Sequence, residues 1–114
     1  MKPFSVGKNL VANTKTTLYT IPSGYYAKWN LLYAHNATVS AKTFSAWWYD
    51  SSTATEVAIV LDYPLPATDY LKFDGGAYVV LEEGDEIRVK AETGATASAI
   101  ITLELIQKNA TNFN

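Results

Sequence analysis

Cysteine is missing from all 114 residues, and histidine and arginine occur once each, at His35 and Arg88. Without thiols there can be no disulfide scaffold, thiolate zinc site, iron–sulfur cluster or cysteine nucleophile. One histidine cannot make a two-histidine metal site or a histidine relay within a chain. Nine basic against eleven acidic residues leave a net charge of −2, a poor match for phosphate backbones, so no nucleic-acid partner is expected. Long apolar runs are also absent. The stretch Val57-Ala58-Ile59-Val60-Leu61 falls far short of the ~20 residues a membrane helix needs, and no membrane association is expected. Lys2 is followed by no apolar core, so no secretory leader is expected either. Without one, the Asn-x-Thr triplets at Asn36 and Asn109 read as chance matches.

Catalytic signatures are equally scarce. There is no Gly-x-Ser-x-Gly elbow to present a serine nucleophile. The acids Asp62, Asp69, Asp74, Glu82, Glu83 and Asp85 gather in turn-like segments, but none has the spacing of an EF-hand loop. They read as solvated turn carboxylates, with a loose calcium site as the alternative. No catalytic residue, cofactor or metal is expected, and the chain is not expected to be an enzyme.

What the sequence does have is alternation. Leu18 to Ile21 is β-rich and stops at Pro22-Ser23-Gly24, where proline fixes φ and glycine admits a positive φ. From Tyr25 to Asn36, the residues Trp29, Leu31 and Tyr33 alternate on one face, with Lys28 and Asn30 opposite. From Lys42 to Asp50, Phe44, Ala46 and Trp48 point one way and Thr43, Ser45, Trp47 and Tyr49 the other. Val57 to Leu61 is a further strand, and prolines 64 and 66 then predict a loop crossing between sheets. Tyr70–Phe73 and Tyr78–Glu82 should form a hairpin about Asp74-Gly75-Gly76. Glu86–Glu92 buries Ile87, Val89 and Ala91, and Ser98–Gln107 buries Ala99, Ile101, Leu103 and Leu105. About eight short strands with no helical period predict an all-β chain: a single antiparallel β-sandwich or jelly-roll-like domain. Its core is placed at 9–107, with irregular arms at 1–8 and 108–114 carrying Phe4 and Phe113.

The aromatic run Trp47-Trp48-Tyr49 points to function. Successive strand residues face opposite ways, so Trp48 can be core while Trp47 and Tyr49 lie outside. Amphipathic aromatics favour protein interfaces, and an outward pair could also stack on sugar rings or be covered by the chain itself. Trp47 and Tyr49, with Phe4 and Phe113 on the arms, are the candidate interface residues.

Three segments stand out in order: Leu18-Tyr19-Thr20-Ile21-Pro22-Ser23-Gly24, the Trp29-to-Asn36 strand ending Ala34-His35-Asn36, and Tyr78 through Val89 with its Leu-Glu-Glu-Gly-Asp-Glu-Ile turn. Taken together they resemble small β-sandwich virion proteins of tailed bacteriophages. The resemblance spans about residues 16–107. It implies a non-enzymatic structural protein of the virion, assembled in the host cytoplasm. The leading expectation is a capsid decoration (cement) protein that binds and stabilises the major capsid protein lattice as a symmetric homo-oligomer, a trimer being favoured. The alternatives are a neck, tail or fibre accessory protein, or a glycan-binding module using Trp47, Tyr49, Asp62 and Asp69. The resemblance carries no catalytic residues.

Overall fold

A computed structural model describes residues 3–73 and 79–108. Alternating apolar residues build nine antiparallel strands among these residues: β1 (Pro3–Leu10), β2 (Thr16–Thr20), β3 (Tyr25–Asn36), β4 (Lys42–Asp50), β5 (Thr55–Leu65), β6 (Tyr70–Phe73), β7 (Val79–Leu81), β8 (Glu86–Ala91) and β9 (Ala97–Gln107). One sheet runs β1-β9-β3-β6, with β7 also on β3, and the other runs β2-β8-β4-β5. Only β4 to β5, and β6 to β7, stay within one sheet; every other connection crosses to the opposite sheet. This is the two-sheet jelly-roll order, with β6 and β7 together serving as one strand. Between the sheets lie Phe44, Ile87 and Val89 from one side and Leu32, Leu81, Ile101 and Leu103 from the other, all buried.

The unbroken alternations are as predicted. Ile87, Val89 and Ala91 face the core, as do Ala99, Ile101 and Leu103. Four expectations need correction. The irregular N-terminal arm at 1–8 is instead a strand: Pro3 to Leu10 pairs along β9, with Phe4, Val6 and Leu10 turned toward the core. The loop predicted over 62–68 does cross between the sheets, but Asp62 to Leu65 are the end of β5, and Pro64 is tolerated there because β5 is an edge strand.

The third correction concerns phase within β3. Its register with β9 shifts between Trp29 and Leu31, and a bulge there reverses every later side chain. Trp29 is buried, but Leu31 and Tyr33 face out, while Leu32, Ala34 and Asn36 face in. The fourth concerns the hairpin at Asp74-Gly75-Gly76, a turn that lies outside the described residues. Its flanking strands do not pair with each other. Tyr70–Phe73 pairs with His35 to Leu32 and Val79–Leu81 with Trp29 to Ala27, so both run the same way along β3. The C-terminal segment from Asn109, including Phe113, and Met1 and Lys2 also lie outside the described residues.

Two buried polar residues pin the ends of the sandwich. Asp85, read from sequence as a solvated turn acid, is only 1% exposed. Its carboxylate accepts hydrogen bonds from Ser51 N (2.9 Å), Ser51 Oγ (3.0 Å), Trp48 Nε1 (3.0 Å) and Glu82 N (2.9 Å). Burial is the largest influence and opposes the charge, but these donors together outweigh it and hold the carboxyl below its ordinary value. The same turn docks on the Pro22–Gly24 turn. Gly84 N donates to Ile21 O, Ile21 N to Asp85 O, and Gly24 N to Glu83 Oε1. Gly84 is needed twice over: its φ is 85°, and a Cβ would lie 2.9 Å from Ser51 Oγ. At the other end Asn36, also 1% exposed, donates through Nδ2 to the carbonyls of Ser40, Leu65 and Pro66, and its Oδ1 accepts from Thr38 N.

Candidate contact surfaces

The outward side of the β2-β8-β4-β5 sheet carries the Trp47 and Tyr49 singled out from sequence. Across this sheet Thr17, Arg88, Trp47 and Ala58 form one row, and Glu86, Tyr49 and Glu56 the next. Both aromatics face outward and both are half-buried. The Lys15 ammonium sits 4.1 Å from the Trp47 ring centroid, and the Arg88 guanidinium 3.9 Å from that of Tyr49. Carboxylates hold these cations in place. Glu56 accepts from Lys15 Nζ at 2.7 Å and from Arg88 Nη1 at 3.1 Å, while Glu86 accepts from Arg88 Nε at 2.9 Å and from Thr17 Oγ1 at 3.0 Å.

The network fixes the ionisation of its members. The Lys15 hydrogen bond, above all, holds Glu56 below the usual carboxylate range, with burial opposing and Arg88 assisting. The Glu86 hydrogen bond, with help from Glu56, keeps the Arg88 pKa above its ordinary value. Each exposed ion pair contributes roughly 0.2–1 kcal/mol, and each cation–π contact about 0.5–1 kcal/mol. This face therefore presents charge over its rings, with the chain covering its own aromatics.

The outward side of the β1-β9-β3-β6 sheet is built differently. Facing rows place Gly7, Ile100, Tyr33 and Lys72 side by side, then Ser5, Thr102 and Leu31, and toward the strand ends Val80 with Lys28 and Ile106 with Tyr26. Tyr33 and Tyr70 stack with centroids 5.3 Å apart and planes 18° apart. Tyr70 is 53% exposed, Val80 44% and Ile100 39%. The flanking strand β1 covers none of this: Ser5 bonds Thr102 across the strands, and Gly7 has no side chain to lay over Ile100.

The sandwich has two open edges, and each is bridged by an aromatic pair. At the β1/β2 edge, Phe4 meets Tyr19 edge-on at 5.4 Å, and both are half-buried. Phe4, expected on a free arm, is thus part of this edge closure. At the β5/β6 edge, Tyr63 meets Phe73 at 6.4 Å and both remain exposed, next to exposed Val57 and Leu61. Beneath them an apolar groove of about 200 Å³ opens between Trp29, Leu32, Ile59, Phe73 and Val79. Of the nine exposed large apolar residues among those described, Val57, Leu61, Tyr63, Tyr70, Phe73, Val80 and Ile100 lie on this edge or on the adjoining sheet face. Val11 and Val39 lie in loops.

The remaining candidates do not converge. His35 ends β3 facing outward beside Ser98 and Tyr70. Asp69 accepts from its neighbour Tyr70 N, and Asp62 N donates to Ser45 Oγ. Asp62 lines a polar depression with Asn13, Thr43, Lys90 and Glu92, which Trp47 and Tyr49 do not line. Among the described residues, no three His, Asp or Glu side chains gather to hold a metal ion, and no helix is long and apolar enough to cross a membrane.

No protein-family model and no curated protein matches this chain. Solved structures do. The globular domain of zebrafish complement 1qA protein is 16% identical, with a TM-score of 0.51 over 94% of this chain and 98% of that one. Two further similarities have TM-scores below 0.5. One is to the disulfide-linked pili of Bacillus endospore appendages, 14% identical over 93% of this chain and 85% of that chain, with a TM-score of 0.49. The other is to infectious bursal disease virus, Gx strain, 13% identical over 96% of this chain and 33% of that chain, with a TM-score of 0.48. The similarity to the complement domain establishes a shared β-sandwich architecture, and at this identity it extends to the fold alone.

Proposed function

We propose that this chain is a non-enzymatic structural protein of a tailed-phage virion: a head decoration protein that binds the major capsid protein lattice as a symmetric oligomer, with a trimer favoured. The observation that carries this reading is the concentration of exposed aromatic and aliphatic side chains on one side of the sandwich. Contiguous exposed apolar surface marks interaction sites in soluble proteins, and small rigid sandwiches suit repeated docking on a lattice. The resemblance of the ordered segments at residues 18–24, 29–36 and 78–89 to phage virion proteins supports the virion setting. A decoration protein that binds only the assembled shell stabilises it by mass action, multiplied when several copies engage together.

A neck, tail or fibre station draws on the same surface and differs in copy number. The glycan reading loses its platform, because Lys15 and Arg88 occupy the positions over Trp47 and Tyr49 that a sugar ring would need.

Copy number on gradient-purified particles is the test. Lattice decoration places on the order of tens to hundreds of copies on each particle, because every equivalent site is filled. About a dozen copies would move the protein to the neck or tail, and absence from particles would overturn the virion reading.

A further inference from the structure

We infer that copies of this chain associate head to tail, the β5/β6 edge of one copy packing on the β1-β9-β3-β6 face of the next, to close a small ring. This deepens the proposed function by naming the surfaces that make its oligomer, and it rests on that reading only for the ring's purpose.

Two apolar surfaces meet at one corner of the molecule. The edge contributes Val57, Leu61, Tyr63 and Phe73, and the face contributes Tyr33, Tyr70, Val80 and Ile100. They differ in shape. The face is a broad, pleated surface flanked by Ser5 and Gly7, with Thr102, Lys28, Glu104 and Lys72 among its apolar side chains, whereas the edge is narrow and projecting, with Tyr63 and Phe73 bridging the sheets. A two-fold dimer made face to face would leave the whole edge in water, and one made edge to edge would leave the face bare. Packing edge on face covers both in each copy.

The areas agree with this arrangement. The face is made by β1 with 8 residues, β9 with 11, β3 with 12, and β6 and β7 with 4 and 3. At ~3.3 Å per residue and ~4.8 Å per strand they cover roughly 600 Å², at the lower end of the roughly 600–1,000 Å² per partner of a stable specific interface.

Closure follows from where the two surfaces sit. A head-to-tail contact makes a ring if the rotation closes and a filament if it does not. In a ring of n copies the outward directions of the two patches differ by 180° − 360°/n, about 60° for three copies and about 90° for four. A sheet face and the adjoining sandwich edge lie within that range, whereas a filament with no rotation needs opposite sides. The β2-β8-β4-β5 face, with its Lys15–Glu56–Arg88–Glu86 network, then stays outside the ring.

Two exposed substitutions and their mixture test the inference on the full chain. Light scattering after size exclusion should give three or four times the 12.5 kDa chain mass for the wild type. Leu61→Glu on the edge and Ile100→Glu on the face should each give monomer, with unchanged far-ultraviolet circular dichroism. Mixed one to one, they should give a complex of two chains and no larger, since the mixture retains one intact edge and one intact face per pair. Persistence of the oligomer in either single variant would replace the inference with a two-fold contact through the other surface. A monomeric wild type, or a mixture that stays monomeric, would overturn it. These outcomes are read on purified protein, so they stand apart from whether the chain is found on particles.

Discussion

The two outer faces of this sandwich carry similar aromatic side chains and treat them in opposite ways. On the β2-β8-β4-β5 sheet, Trp47 and Tyr49 lie beneath Lys15 and Arg88, which Glu56 and Glu86 hold in place. On the β1-β9-β3-β6 sheet, Tyr33 and Tyr70 stack on each other with Ile100 alongside, and the neighbouring strand offers only Ser5 and Gly7. The two edges differ in the same sense. Phe4 and Tyr19 close theirs half-buried, while Tyr63 and Phe73 remain exposed. One side covers its aromatic rings with its own cations, and the other leaves Tyr70, Val80 and Ile100 exposed beside Lys28 and Lys72. The aromatic content of a face does not separate the two; what separates them is whether the chain supplies the cover.

If this contrast holds, substitutions on the covered side should cost stability and spare assembly. The largest expected effect is at Asp85. Asp85→Asn cannot satisfy four donors with one carbonyl, and should cost about 3 kcal/mol, lowering Tm by about 10 °C in thermal melting. The same carboxylate predicts the direction of pH dependence. Its native pKa lies below the unfolded value near 4, so the unfolded chain binds its proton first as the pH falls. Stability from this group is present in full above that value and is lost as the pH drops through the lower native one. Urea titrations between about pH 5 and pH 2 should show the decline, with a shallower slope in Asp85→Asn.

Next in size is Phe4→Ala, which removes one half of the Phe4–Tyr19 edge closure and should cost about 2 kcal/mol. A free-arm residue would cost nothing, so the melting temperature distinguishes the two placements. Trp47→Ala should cost about 1 kcal/mol through lost packing and the Lys15 contact, with the oligomer unchanged by light scattering. The smallest effect is Glu56→Gln, about 0.5 kcal/mol, shrinking further as salt is added.

The fold was legible wherever a strand runs without interruption. β8 and β9 keep period two from end to end, and their buried residues followed directly from alternation. It was misread where one residue changes the phase. The bulge between Trp29 and Leu31 adds a residue that no composition marks, and it moved Leu31 and Tyr33 off the face they were expected to share with Trp29. β1 escaped notice because Pro3, Gly7, Lys8 and Asn9 read as loop. Gly7 leaves room there for the Ile100 side chain, whose Cγ1 would lie 3.3 Å from a Cβ at that position.

The candidate site was less legible than the fold. Trp47 and Tyr49 are close in sequence and easily noticed, whereas Tyr33, Tyr70 and Ile100 come from three strands and meet only through pairing. The cover over Trp47 is similarly non-local, because Lys15 arrives from the β1–β2 connection. The three segments singled out from sequence do have a physical role. Two of them, residues 18–24 and the Glu83-Gly84-Asp85 turn, dock on each other at one end of the sandwich, and the third supplies the Asn36 pin at the other.

Hydroxyl-radical footprinting of the proposed oligomer against the Leu61→Glu chain, expected as a monomer, puts the contrast between the two sides to its most direct test. The account predicts that Tyr33 and Tyr70 lose most of their reactivity on assembly, while Trp47 and Tyr49 react equally in both. Protection of Trp47 and Tyr49 with Tyr33 and Tyr70 unchanged would place the contact on the charged face and contradict it.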